Sequence, residues 1–149
     1  MEDEVWKDIT GFKGKYQVSN YGFVRSLNYH GTRNPHLLKQ GHGDGRYPQV
    51  VLMKEGKRYT RRVHRLVAEA FIPNPEAKGY IDHIDADIEN NFAGTVDENG
   101  EVSGGNLRWA TARENANNPI TARRRMEGIR RYWENRKRQS PSKDIHFCS

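Results

Sequence analysis

The chain has 149 residues, of which 34% are hydrophobic, and a formal net charge of +6; its mean hydropathy is −1.01. These values suit one small domain with extensions and a modest core. No apolar run approaches the roughly 20 residues that span a bilayer, no signal-peptide pattern opens the chain, and Cys148 as the one cysteine excludes an intramolecular disulfide or a cysteine-built zinc site.

A cytoplasmic, reducing setting fits this composition, and the basic balance points to an anionic partner. Charge is divided unevenly: residues 1–62 carry +6, residues 63–118 carry −6 and residues 119–149 carry +6. One reading is three ordinary solvated surfaces. The other is two basic arms gripping a polyanion around a centre that binds cations.

In chain order, "YQVSNYGFVRSL" mixes aromatic and β-branched residues around an Asn-Tyr-Gly turn and predicts two short strands. "GTRNPHLLKQGHGDGRYP" reads as loop, and a zinc site built from its neighbourhood's His30, His36 and His42 is not expected. "QVVLMKEGKRYTRRV" predicts a β-hairpin turning at Glu55-Gly56, with Lys57, Arg58, Arg61 and Arg62 on its second arm. Val63, Leu66, Val67, Ala70 and Phe71 share one helical face, and Pro73 ends that helix. His64 beside this stripe reads as a surface or structural histidine.

"YIDHIDADIENN", Tyr80 to Asn91, concentrates oxygen ligands around one imidazole. Asp85, Asp87, Asn90 and Asn91 read as loop-shaping residues that cap backbone amides. "FAGTVDENGEVSGG" follows and reads as an exposed hairpin or insertion over 92–105. "NLRWAT" predicts a strand, and Thr111 with Glu114 predicts a capping box for a helix that Pro119 closes. A last helix is expected from Thr121 to about Arg138, with Ala122, Met126, Ile129 and Trp133 as a narrow apolar stripe among many arginines. It is either a solvated amphipathic helix or one that contacts nucleic acid. "QSPSKDIHFCS" reads as an unstructured tail.

The centre is therefore strand, loop, strand, helix, which can bring Asp82 and His83 near Asn106 and Asn115. An Asp carboxylate and an Asn carbonyl are hard oxygen donors suited to Mg²⁺ or Mn²⁺. An imidazole, with an ordinary pKa of about 6.5, can accept a proton from water near neutral pH. Together they form a set of groups able to hydrolyse a phosphodiester.

"DHID…NN…NLRWAT…EN" resembles the HNH nuclease motif in the form found in phage and intron-encoded homing endonucleases. "VHRLVAEAFIPNP" resembles the lead-in to that domain, and "WKDITGFKGKYQVSNYGFVRSL" the N-terminal module that often precedes it. The resemblance covers roughly residues 5–118. It implies an α+β fold: a β-rich DNA-binding module over 1–62, a ββα-metal core over 63–118 with the 92–105 insertion, and a basic helix with its tail over 119–149. By position it implies His83 as general base, Asn106 as the residue that holds the loop, and Asp82 and Asn115 as ligands of one Mg²⁺ or Mn²⁺. It also implies cleavage leaving a 3′-hydroxyl and a 5′-phosphate, in the cytoplasm of a host cell if the chain is phage-encoded. Double-stranded DNA is the expected partner of a monomer with no membrane association. Its expected contacts are Arg25, Arg46, Lys57, Arg58, Arg61 and Arg62, then Arg123, Arg124, Arg130 and Arg131 on the last helix. His83 and Asn106 are 106 − 83 = 23 positions apart, longer than is usual for this form. The alternatives are a non-catalytic DNA-binding protein on the same scaffold, a ribonuclease or RNA-binding module, and a protein-interaction role.

Overall fold

The computed structural model describes residues 4–28, 34–43 and 45–139. The fold is mixed α+β. His30 and the expected tail beyond Gln139 lie outside the described residues.

Strands β1 (Trp6–Asp8), β2 (Tyr16–Ser19), β3 (Val24–Ser26) and β4 (His36–Leu37) form one antiparallel sheet in that order. The β2–β3 connection is the expected Asn-Tyr-Gly turn. Ser19 Oγ accepts hydrogen bonds from the amides of Tyr21 and Phe23, each 3.2 Å long. Gly22 takes φ +90° in this turn, a conformation that disfavours any side chain.

Strands β5 (Gln49–Lys54) and β6 (Lys57–Arg62) pair as a ribbon. Glu55 and Gly56 both have positive φ, 50° and 75°, the signature of the two-residue turn that matches strand twist. Val50 and Leu52 are buried while Val51 and Met53 are exposed, so the ribbon packs one face inward. Lys57, Arg58, Arg61 and Arg62 are exposed along β6.

Helix α1 (Val63–Phe71) follows β6 without a loop. Val63, Leu66, Val67, Ala68 and Phe71 are buried, which is the expected face with Ala68 added; Ala70 sits at its margin. Strand β7 (Tyr80–His83) then pairs antiparallel with β10 (Leu107–Ala110), Asp82 opposite Arg108 and His83 opposite Leu107. Between them β8 (Gly94–Val96) and β9 (Val102–Gly104) make the expected hairpin insertion. Helix α2 (Ala112–Ala116) carries the full Thr111–Glu114 capping box.

Helix α3 (Pro119–Gln139) begins two residues before the expected start. Pro119 does not merely close the preceding helix; it opens α3, because a proline lacks only an N–H that the first helical turn leaves unbonded. The Asn118 side chain is its cap, accepting from the amides of Ile120 at 2.9 Å and Thr121 at 3.2 Å. Met126, Ile129 and Trp133, the expected apolar stripe, are exposed. No helix among the described residues is long and apolar enough to cross a membrane.

One buried apolar cluster joins the N-terminal sheet (Ile9, Phe12, Val18, Val24), the ribbon (Val50, Leu52), α1 and the β7–β10 unit (Ile81, Ala93, Leu107). The expected boundary at 62/63 therefore runs through a shared core. Trp109, half-buried at its edge, donates from Nε1 to the Ile72 carbonyl at 2.9 Å and so ties β10 to the end of α1.

Candidate active site

The β7–β10 pairing sets the site. Since Leu107 stands opposite His83, Asn106 lies just beyond the strand end from which His83 exits. Asn106 uses its amide on both sides of the loop that follows. Its Oδ1 accepts from the Asp85 amide at 2.9 Å, and its Nδ2 donates to Asp85 Oδ1 at 2.8 Å and to the Asn90 carbonyl at 2.9 Å. Its backbone N–H donates to the Phe92 carbonyl at 2.8 Å. One buried side chain thus closes the loop from 84 to 92.

Asp85 completes that closure, accepting from the Asp87 amide and from Asn90 Nδ2. Burial pushes its carboxyl upward, but the bonds from Asn90, Asp87 and Asn106, with the His83 imidazole nearby, outweigh it and hold the group below the ordinary carboxylate range.

Asp82 is buried, and among the described residues its carboxylate has two partners. Arg108, its cross-strand neighbour, donates from Nε to Oδ2 at 2.8 Å. Asn118 Nδ2 donates to Oδ1 at 2.9 Å and also reaches the His83 carbonyl at 3.1 Å. A carboxylate offers about four lone-pair sites, so these contacts leave acceptor capacity on Asp82.

His83 is also buried, with Nε2 2.8 Å from Asn91 Oδ1. The Tyr47 ring stacks at 6.1 Å between centroids and the His64 ring meets His83 edge-on at 5.4 Å. His64 is buried, so the structural reading of this residue holds and the surface one does not. Burial lowers its pKa to about 4, helped by His83, Arg62 and Arg65. Among the described residues, His64 Nδ1 meets no hydrogen-bond partner.

Asp82, His83 and Asn115 line one open cleft of about 520 Å³, together with Arg46, Tyr47, Arg124 and Arg125. The cleft gathers five parts of the chain: the loop before β5, the end of β7, the loop after it, α2 and the start of α3. Among the described residues no group of three or more His, Cys, Asp or Glu side chains gathers to hold a metal. A cation here would rest on a carboxylate and an amide oxygen, with water and substrate oxygens completing its shell, a donor set that suits Mg²⁺ or Mn²⁺.

The other expected DNA contacts are dispersed. Arg46 and Arg124 line the cleft. Arg62 reaches it indirectly, its guanidinium 5.3 Å from the Tyr47 ring. Lys57, Arg58 and Arg61 lie along the ribbon, and Arg123, Arg130 and Arg131 lie exposed on α3. Arg25 is held within the N-terminal sheet, over the Trp6 ring at 4.2 Å and forked onto Gln17 Oε1. His36 is on β4, and His42 pairs with Glu89.

Tyr47, Arg108, Asn118 and Arg125 surround the site, and sequence reasoning does not assign them to it; Asn91, expected to cap backbone amides, instead turns its Oδ1 to His83 Nε2. The dipeptide Asn118-Pro119 is a legible signal, since an N-cap residue followed by proline marks a helix start. Asn91 has only its place in a polar loop.

Residues 4–53 match the NUMOD4 motif. Over 116 residues, 78% of this chain, the sequence is 37% identical to DNA endonuclease I-HmuI of Bacillus phage SP01. Over 133 residues it is 34% identical to an uncharacterized HNH endonuclease, L247, of Acanthamoeba polyphaga mimivirus. A solved structure of DNA binding and cleavage by the HNH homing endonuclease I-HmuI superposes with a TM-score of 0.61 at 35% identity, covering 79% of this chain. The chain spans 58% of the length of the phage relative, 29% of the mimivirus one and 59% of the solved chain.

Proposed function

The chain is a homologue of HNH homing endonucleases and carries a NUMOD4 motif, and from that premise we propose that it is a metal-dependent endonuclease acting on double-stranded DNA. The observation that carries this reading is the shared cleft: a buried imidazole, a buried carboxylate beside it and an amide from α2, rimmed by arginines.

His83 takes a proton from the attacking water, whose oxygen bonds to phosphorus as the bond to the 3′-oxygen breaks. The products are a 3′-hydroxyl and a 5′-phosphate, and the leaving oxygen takes its proton from solvent. Asp82 and Asn115 would hold one divalent ion, Mg²⁺ or Mn²⁺. Bound there, the ion supplies charge stabilisation to the phosphate and the leaving oxygen. Asn106 keeps the loop closed so that His83 stays at its strand end. Arg46 and Arg124 contact phosphate at the rim.

Residues 1–62 and 119–149 position the duplex and residues 63–118 do the chemistry, in a monomer working in the cytoplasm. A two-stranded ribbon such as β5–β6 is an element that a major groove admits, and its exposed cations are Lys57, Arg58, Arg61 and Arg62. A supercoiled plasmid incubated with Mg²⁺, Mn²⁺ or EDTA tests the reading. Cleavage with metal and none with EDTA is expected, and His83→Ala should lose about 10²–10⁴ in rate with DNA binding retained. Salt-dependent binding without cleavage under either metal would favour a non-catalytic DNA-binding role.

A further inference from the structure

His83 is expected to accept a proton, and an imidazole can do so from only one nitrogen at a time. Which nitrogen is free depends on what the other one meets. Here Nε2 faces the amide oxygen of Asn91 at 2.8 Å, with both residues buried. An amide oxygen only accepts, so Nε2 carries the hydrogen and Nδ1 carries the lone pair.

Asn91 is itself fixed from two directions. On one side Asn106 bonds to both of its chain neighbours: Nδ2 to the Asn90 carbonyl and N–H to the Phe92 carbonyl. On the other side the β2–β3 turn of the N-terminal sheet presses against it. A Cβ placed on Gly22 would lie 3.0 Å from Asn91 Cβ and 3.2 Å from its carbonyl oxygen. Next to this contact the Asn20 carbonyl accepts from the Ala93 amide at 2.8 Å, Asn20 Nδ2 donates to the Gly94 carbonyl at 3.0 Å, and the Tyr21 ring packs on Phe92 at 5.2 Å. The buried Asn20 thus clamps the backbone just after Asn91.

We propose that Asn91 is a positioning residue for His83, holding its hydrogen on Nε2 so that Nδ1 takes the proton of water, and that the 19–23 turn of the N-terminal sheet seats Asn91. This rests on His83 being the general base. The N-terminal sheet then has a part in the chemistry as well as in DNA binding, since removing its turn would release the residue that sets the tautomer.

The test reads the tautomer apart from cleavage. The full chain labelled with ¹⁵N in histidine gives the protonation of each ring nitrogen of His83 by long-range ¹H–¹⁵N correlation, without metal or DNA. Wild type should show Nε2 protonated and Nδ1 bare. Asn91→Asp, which keeps an acceptor, should retain that pattern; Asn91→Ala and Gly22→Ala should give mixed tautomers. In plasmid cleavage Asn91→Ala should lower kcat about 10–100-fold, by analogy with groups that orient a metal-bound histidine, with KM unchanged. A wild-type His83 bare at Nε2, as it would be if Asn91 presented its Nδ2 instead, overturns the proposal and leaves the nuclease reading standing. So does an Asn91→Ala spectrum identical to wild type. An Nε2-protonated His83 in a wild-type chain that fails to cleave under either metal overturns the nuclease reading and with it the catalytic part of Asn91.

Discussion

Six hydrogen bonds converge on the Asn118 side chain, and its removal has a calculable cost. It is fully buried. Its Oδ1 caps α3 through Ile120 and Thr121, and its Nδ2 bonds to the Asp82 carboxylate and the His83 carbonyl. Loss of a cap costs about 1 kcal/mol. Loss of a donor to a buried carboxylate costs about 2–3 kcal/mol. Asn118→Ala removes both, so roughly 3–4 kcal/mol is expected. With a urea slope of about 2 kcal/mol/M this lowers the unfolding midpoint by about 1.5–2 M at unchanged slope. Asn118→Ser separates the two parts: its hydroxyl can still cap but is too short to reach Asp82. Its midpoint should lie above that of the Ala variant by about 0.5 M, the worth of the cap. An Ala variant unfolding within about 0.3 M of wild type would refute the contact argument, given the size of both contributions. A Ser variant no better than Ala would refute the cap alone.

His64 binds its proton with a pKa of about 4 in the fold against an ordinary 6.5, so the unfolded chain takes up the proton first as pH falls. Its contribution is intact above about pH 6.5 and is lost toward pH 4, up to about 3 kcal/mol; His64→Phe should flatten the slope of stability between pH 7 and 5, and an unchanged slope would count against it. A Cβ on Gly105 would lie 2.1 Å from the Ala93 carbonyl oxygen whereas one on Gly128 meets nothing within 4 Å; urea melts should show Gly105→Ala destabilised by about 1–3 kcal/mol and Gly128→Ala, inside α3, stabilised by about 0.5–1 kcal/mol. Replacing Arg58 or Arg61 on the exposed ribbon by Ala should reduce the slope of log binding constant against log salt by about 1 for each phosphate left without its cation, read by fluorescence anisotropy on labelled duplex.

Local signals are legible in the sequence and long-range ones are not. The Glu55-Gly56 turn, the α1 face and the Thr111–Glu114 box each depend on residues a few positions apart, where spacing alone carries the physics. The partners of Asp82 come from Arg108 and Asn118, 26 and 36 positions away, and no spacing rule announces them. His64 shows the same limit: its place on the α1 edge is readable, but only the packing of Tyr47 and His83 against it makes it a buried neutral imidazole. The start of α3 falls earlier than expected because Pro119, taken alone, reads as a stop for the helix before it. The Asn118 cap makes it a start.

The same distinction explains why the 92–105 insertion leaves the site intact. Counted along the chain, His83 and Asn106 are 23 positions apart (106 − 83). Counted through space, the chain leaves the loop at Phe92 and returns at Asn106, whose N–H bonds to the Phe92 carbonyl at 2.8 Å. Residues 93–105 between these points pair with themselves as β8 and β9, and the two stems approach so closely that Gly105 has no room for a side chain against Ala93. The stem is also anchored from outside, because Asn20 bonds to Ala93 and Gly94. The loop that Asn106 closes is therefore only the segment from 84 to 92, and the extra chain is excluded from it by hydrogen bonds at its base. Length added beyond such a closed stem changes what the surface presents to a partner while the distance between the imidazole and the residues that orient it stays fixed.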